Sequence, residues 1–122
     1  MLGFLHLCLS QYFSHPPLTL TTSMPDITPA ELKQRQAAGE KPIIIDVRET
    51  WENEEGRIDG SQNIPLGTLP QKLDDLEDLK DQEIIVHCKG GGRSASAKAY
   101  LTQQGFTQVR NLLGGFQAYQ QA

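Results

Sequence analysis

A cysteine followed by glycines, flanked by cations and opening into a helix can hold a reactive thiolate. The chain carries one such run, Cys88-Lys89-Gly90-Gly91-Gly92-Arg93-Ser94. Consecutive glycines let the backbone curl and take positive φ at no steric cost, so successive N–H groups can converge on one point. Where such a ring meets a helix N-terminus it forms an anion cradle, and Lys89 and Arg93 add positive charge to it. Amides, dipole and cations all favour the charged form of a thiol at the centre. An unperturbed cysteine with a pKa near ~8.5 is only about 10% thiolate at pH 7.5, and a drop of ~2 units makes it about 90% ionised. A nucleophile ionised to that degree needs no separate general base. His87 precedes Cys88 on an extended stretch, so its side chain is expected on the opposite face.

Inert packing and a plain phosphate-binding turn are the competing readings of this run. Walker-type loops end in Lys-Ser or Lys-Thr, whereas this one ends in Gly-Arg-Ser. The register of strand, cysteine, glycines, arginine and helix start favours a working thiol.

The elements that must position the loop can be read around it. "EIIVHC", residues 83 to 88, and "PIIIDV", residues 42 to 47, are continuous apolar runs without polar alternation, the mark of strands buried on both faces of a parallel sheet. Thr28, Pro29 and Glu31 make a helix start with a capping box, and Gly39 stops that helix. Residues 49 to 55 read as a short helix closed by Gly56, and 61 to 65 as a short strand. Leu73, Leu76 and Leu79 give an apolar face to helical turns over 69 to 79. Ser94 to Gln104 reads as an alanine-rich helix, followed by a last strand and turn over 109 to 115 and a short helix through Tyr119. Strand and helix alternate, so the fold class is α/β with a mostly parallel sheet covered on both faces. In such sheets function gathers at the carboxyl ends of strands, where Cys88 stands.

Bulk properties narrow the classes. With 122 residues, 38% hydrophobic and 21% charged, the chain suits one ordinary domain. A net charge of −4 without a long basic run argues against nucleic acid as a partner. Two cysteines, Cys8 and Cys88, are too few for a disulfide scaffold or a zinc site, and a lone reactive thiol fits a reducing compartment, so a cytoplasmic location is expected. Residues 1–23 contain no Lys, Arg, Asp or Glu, and are expected to be a disordered extension ahead of a domain over 24–122. Without a basic region before its apolar run, that stretch is a poor secretory signal, and it is too short to span a membrane.

Three motifs carry a family resemblance. "HCKGGGRS" after "IIV" resembles the active-site loop of rhodanese-like sulfurtransferases. "IIIDVRETWENEEGRIDGSQNIPL" (43 to 66) is similar to that family's upstream signature, and "LLGGFQAY" (112 to 119) to its closing Gly-Gly-aromatic turn. The resemblance covers about residues 26 to 120 and implies a three-layer α/β/α sandwich with a five-stranded parallel sheet. It also implies a site made of Cys88 as catalytic nucleophile, with Lys89, Gly90, Gly91, Gly92, Arg93 and Ser94 binding substrate. The implied chemistry moves a sulfane sulfur from a small donor such as thiosulfate to a thiol or cyanide acceptor through a Cys88 persulfide, with no metal or organic cofactor. Lys89 and Arg93 would attract the dianionic donor, and Ser94 divides between helix capping and contact with the loop.

Related phosphatases and arsenate reductases of the same superfamily place one more residue between Cys and Arg than the four here, residues 89 to 92. The shorter loop favours sulfur. A sulfur-relay or docking module without turnover is the alternative from another class. Asp46 and Arg48 read as a structural charged pair and Trp51 as packing. Arg57 departs from the family's usual His after the glycine. Oligomeric state and the physiological donor and acceptor are not legible.

Overall fold

The computed structural model describes residues 23–122. The expected extension, save its last residue, and Cys8 with it lie outside the described residues. Four parallel strands form one sheet: β1 (Ile43–Asp46), β2 (Gln62–Asn63), β3 (Ile84–His87) and β4 (Val109–Asn111), in the order β2-β1-β3-β4. Among the described residues the sheet has one strand fewer than the expected five. Ile27 stands at its β4 edge as a single parallel bridge to Leu112, donating to Asn111 O at 3.0 Å and accepting from Leu113 N–H at 2.9 Å.

Both apolar runs behave as their composition requires. β1 and β3 are the central pair, with Ile43 to Asp46 in register with Ile84 to His87. Successive side chains alternate between the faces. Ile45, Ile84, Val86 and Cys88 enter one core cluster, while Ile44 and Ile85 enter the other. Helix α1 (Pro29–Ala37) covers the second face with Leu32 and is joined there by α4 (Gly115–Gln121), whose Phe116 and Tyr119 pack against that cluster. Helix α3 (Gly92–Gln103) covers the first face with Ala97 and Leu101. The result is the three-layer α/β/α arrangement.

Two local expectations change. The segment read as helical turns over 69 to 79 is a pair of 3₁₀ helices, Leu66–Lys72 and Asp74–Leu79, with Pro70 inside the first. Proline removes a backbone donor, and the leucine spacing of three matches a 3₁₀ period better than an α one. Thr28 caps α1 by accepting from Glu31 N–H at 3.1 Å, but the Glu31 carboxylate faces Arg110 at 3.4 Å. The complete capping box sits instead on α2 (Thr50–Glu55), between Glu49 and Glu52.

Candidate functional site

Cys88 leaves β3 at its carboxyl end, and the chain turns through Lys89, Gly90 and Gly91 straight into α3. Gly91 is the N-cap and holds φ of 110°, a conformation only glycine takes freely. That twist aims the Gly91 N–H at Cys88 Sγ, 3.1 Å away. Gly90 and Gly92 keep negative or extended φ, and side chains at either would meet nothing within 4 Å. One glycine of the three therefore sets the loop's shape. From the far side, Phe116 N–H donates to Cys88 O at 2.8 Å and Gln117 N–H to Lys89 O at 3.1 Å. This approach is so close that a Cβ on Gly115, φ 63°, would lie 2.4 Å from Lys89 O.

The thiol is recessed, with the Cys88 residue only 2% exposed and part of the same core cluster as Ile45, Val86 and Ala97. Burial disfavours its charged form. The Ser94 hydroxyl and the N–H groups of Ser94, Gly91 and Gly90 nevertheless outweigh that effect and hold the Cys88 pKa below that of an ordinary thiol. Ser94 is fully buried in the first turn of α3 rather than at its cap. Its single hydroxyl proton can serve Asn111 Oδ1 at 2.6 Å, Gly91 O at 3.2 Å or Cys88 Sγ at 3.4 Å. Asn111 Nδ2 also donates to Gly91 O at 3.3 Å, so the end of β4 braces the loop. Contact with the loop, not capping, is what Ser94 does.

The two cations of the run part company. Lys89 is exposed and has no ion pair among the described residues. Arg93 instead closes its fork on Glu52 of α2, Nη1 to Oε1 at 2.7 Å and Nη2 to Oε2 at 3.0 Å. That grip holds the Glu52 carboxyl at a pKa of about 2 and raises that of Arg93. Arg93 thus lends positive charge to the Cys88 thiolate while two of its five N–H donors are held by Glu52.

Behind this pair lies a second. Asp46 and Arg48 are buried and joined by Nη2 to Oδ2 at 2.8 Å, with Asn53 Nδ2 adding a bond to Oδ2 at 3.0 Å. Arg48 Nη2 also donates to Gly56 O at 2.7 Å, fastening the end of α2 to the end of β1. The expected structural pair is therefore present, and it positions the helix that holds Glu52. His87 lies on the opposite face from Cys88, fully buried, with Nδ1 3.3 Å from Cys88 O and Nε2 lacking a hydrogen-bond partner. Burial lowers its pKa, so the ring is neutral at pH 7. Arg57 is exposed and, among the described residues, its side chain bonds only to Asn53 O, at 3.4 Å. Trp51 reverses its expectation as packing: it is 60% exposed, on a helix that buries none of its residues.

Sequence reasoning missed Glu52 and Asn111. Glu52 pairs across 41 positions of chain, which leaves no local trace. Asn111 had a signal, an amide in an otherwise buried strand, because such a group must find hydrogen-bond partners.

Known proteins resemble this chain in sequence and in fold. Residues 28–122 match the family model described as the rhodanese-like domain. A sulfurtransferase of Allochromatium vinosum is 34% identical over 94 residues, covering 77% of this chain and 86% of the relative. The tRNA uridine(34) hydroxylase of Cytophaga hutchinsonii is 31% identical over 96 residues, 76% of this chain but only 30% of that longer protein. The crystal structure of a rhodanese-like domain protein from Staphylococcus aureus superposes with a TM-score of 0.72 at 33% identity, over 79% of this chain and 91% of that one. A recessed thiol at the end of a central parallel strand, collared by amides and matched across nearly all the described residues, leads to one conclusion: the chain belongs to the rhodanese-like family.

Proposed function

We propose that this protein is a sulfurtransferase of the rhodanese type, with Cys88 as its nucleophile. The observation that carries the reading is the Gly91 N–H 3.1 Å from Cys88 Sγ, within a set of donors that lowers the thiol's pKa in spite of burial. In the first step the thiolate attacks the outer sulfur of thiosulfate or a similar donor. The donor's S–S bond breaks, sulfite leaves with the electron pair, and a Cys88 persulfide forms. In the second, a thiolate or cyanide attacks the outer sulfur, and the pair of the broken bond returns to Cys88. Neither step needs a metal or an oxidant.

Lys89, exposed and without an ion pair among the described residues, is the cation we assign first to donor attraction, with Arg93, whose charge is shared with Glu52, adding to the field. Gly90, Gly91 and Ser94 supply the donors that hold the charged sulfur, and Gly92 opens the helix that presents Ser94. A free thiol of this kind fits a reducing compartment such as the cytoplasm. Steady-state formation of thiocyanate from thiosulfate and cyanide tests the reading. We expect turnover that vanishes in Cys88→Ala. A stable persulfide without release would favour a relay module, and aryl-phosphate hydrolysis lost in Cys88→Ser would favour phosphoryl chemistry.

A further inference from the structure

Two large apolar side chains stand exposed among the described residues, Trp51 at 60% and Leu113 at 43%. Both flank the Cys88 loop. Trp51 borders a depression of about 260 Å³ whose lining also includes Glu52, Glu55, Gln117, Gln120 and Lys89, the residue next to the thiol. Leu113 precedes Gly114, whose backbone nitrogen would lie 3.7 Å from a Cβ on Gly91, so its turn packs beside the same loop. The fold does not require an indole at position 51, because no residue of α2 is fully buried and Trp51 itself is mostly exposed. Exposed apolar side chains on both sides of a recessed nucleophile mark a surface that another molecule covers.

Charge selects the occupant. Trp51, Glu54 and Glu55 stand three and four positions apart and share one side of α2. Glu49, Glu54 and Glu55 are exposed and have no ion pair among the described residues, whereas Glu52 is neutralised by Arg93. Of the cations nearby, Arg48 is paired with Asp46, and the three free carboxylates outnumber the unpaired Lys89 and Arg57. An indole face fringed by carboxylates receives a cation through its quadrupole and an ion pair together.

We propose that α2 is a docking surface for a protein acceptor whose reactive cysteine is flanked by lysine or arginine, with Trp51 and Glu55 holding one of those cations beside Cys88. This rests on the sulfur-transfer reading. A protein thiol reaches a sulfur only 2% exposed on a projecting segment, and exposed apolar side chains on both sides of the loop suit a partner wider than a small ion. In the transfer, the acceptor thiolate attacks the outer sulfur of the Cys88 persulfide. The new S–S bond leaves on the acceptor, and Cys88 regains the electron pair as thiolate.

Two synthetic peptides test this, each with one cysteine, flanked in one by lysines and in the other by glutamates. Sulfur transfer from the loaded full chain is followed at low salt in the wild type and in Trp51→Ala and Glu55→Gln. Comparing each peptide across the variants cancels differences in its own thiol reactivity. The basic peptide is expected to lead the acidic one by at least ten-fold in the wild type, and by under three-fold in the variants or at high salt. An equal lead in wild type and variants overturns the proposal. Trp51 is the chain's only tryptophan, so its fluorescence reads docking independently of chemistry. A chain that takes up no sulfur, yet separates the peptides by fluorescence, would remove the transfer reading and leave the docking surface. Sulfur uptake with no separation by either readout would remove the docking surface alone.

Discussion

Arg93 and Glu52, 41 positions apart, meet in a two-pronged ion pair of 2.7 and 3.0 Å that ties the start of α3 to α2. The thiol loop is therefore held between two helices. Because Glu52 titrates near 2, below the ordinary 4.5, the pair stabilises the fold above pH 4.5 and is lost as pH falls toward 2. Glu52→Gln should lower stability at pH 7 by about 1 kcal/mol, the range for a well-formed, partly exposed pair. The gap between variant and wild type should close as the pH drops from 4.5 to 2, which urea melts at several pH values would show.

Ser94 supplies one of the hydrogen bonds that favour the Cys88 thiolate. Ser94→Ala should move the thiol's pKa upward and slow sulfur uptake at neutral pH by about ten-fold, the worth of ~1.4 kcal/mol for a bond to a charged group. The pH profile of iodoacetamide alkylation at Cys88 reads the shift. A profile unchanged from wild type would remove Ser94 from the site.

Gly115 is the point of closest backbone approach to the loop. A methyl there would fall 2.4 Å from Lys89 O and 2.6 Å from Cys88 O, on a backbone at φ 63°. Gly115→Ala should cost about 2–4 kcal/mol and depress sulfur uptake with it. Gly90→Ala, where a Cβ meets nothing within 4 Å, should stay within about 1 kcal/mol of wild type. Thermal melts of the two variants compare them directly.

Asp46 neutralises Arg48 in the interior, and burial alone would push its carboxyl up; the Arg48 bonds bring it below the usual range. Asp46→Ala leaves a buried guanidinium without its partner and should cost about 3–5 kcal/mol. Chemical denaturation would show it as a lower midpoint with an unchanged slope.

What was legible in the sequence was what is local. The runs at 43–46 and 84–87 announced themselves as buried strands because β-branched residues without polar alternation fit nothing else so well. The cysteine loop was legible because thiol, glycines and helix start are contiguous. Glu52 and Asn111 were not, since each acts through a partner distant in the chain. Trp51 misled because large apolar side chains are usually core, and nothing in "TWENEE" says which way a six-residue helix faces. The fifth strand shrank to one bridge at Ile27 because Pro25 and the cap at Thr28 leave little room for extended pairing.

The proposed chemistry requires Cys88 to take and hold one sulfur atom. Intact mass spectrometry after incubation with thiosulfate measures this directly. The result expected is a gain of about 32 Da, removed by cyanide and absent in Cys88→Ala. An unchanged mass in a folded chain whose Cys88 remains a free thiol would contradict it.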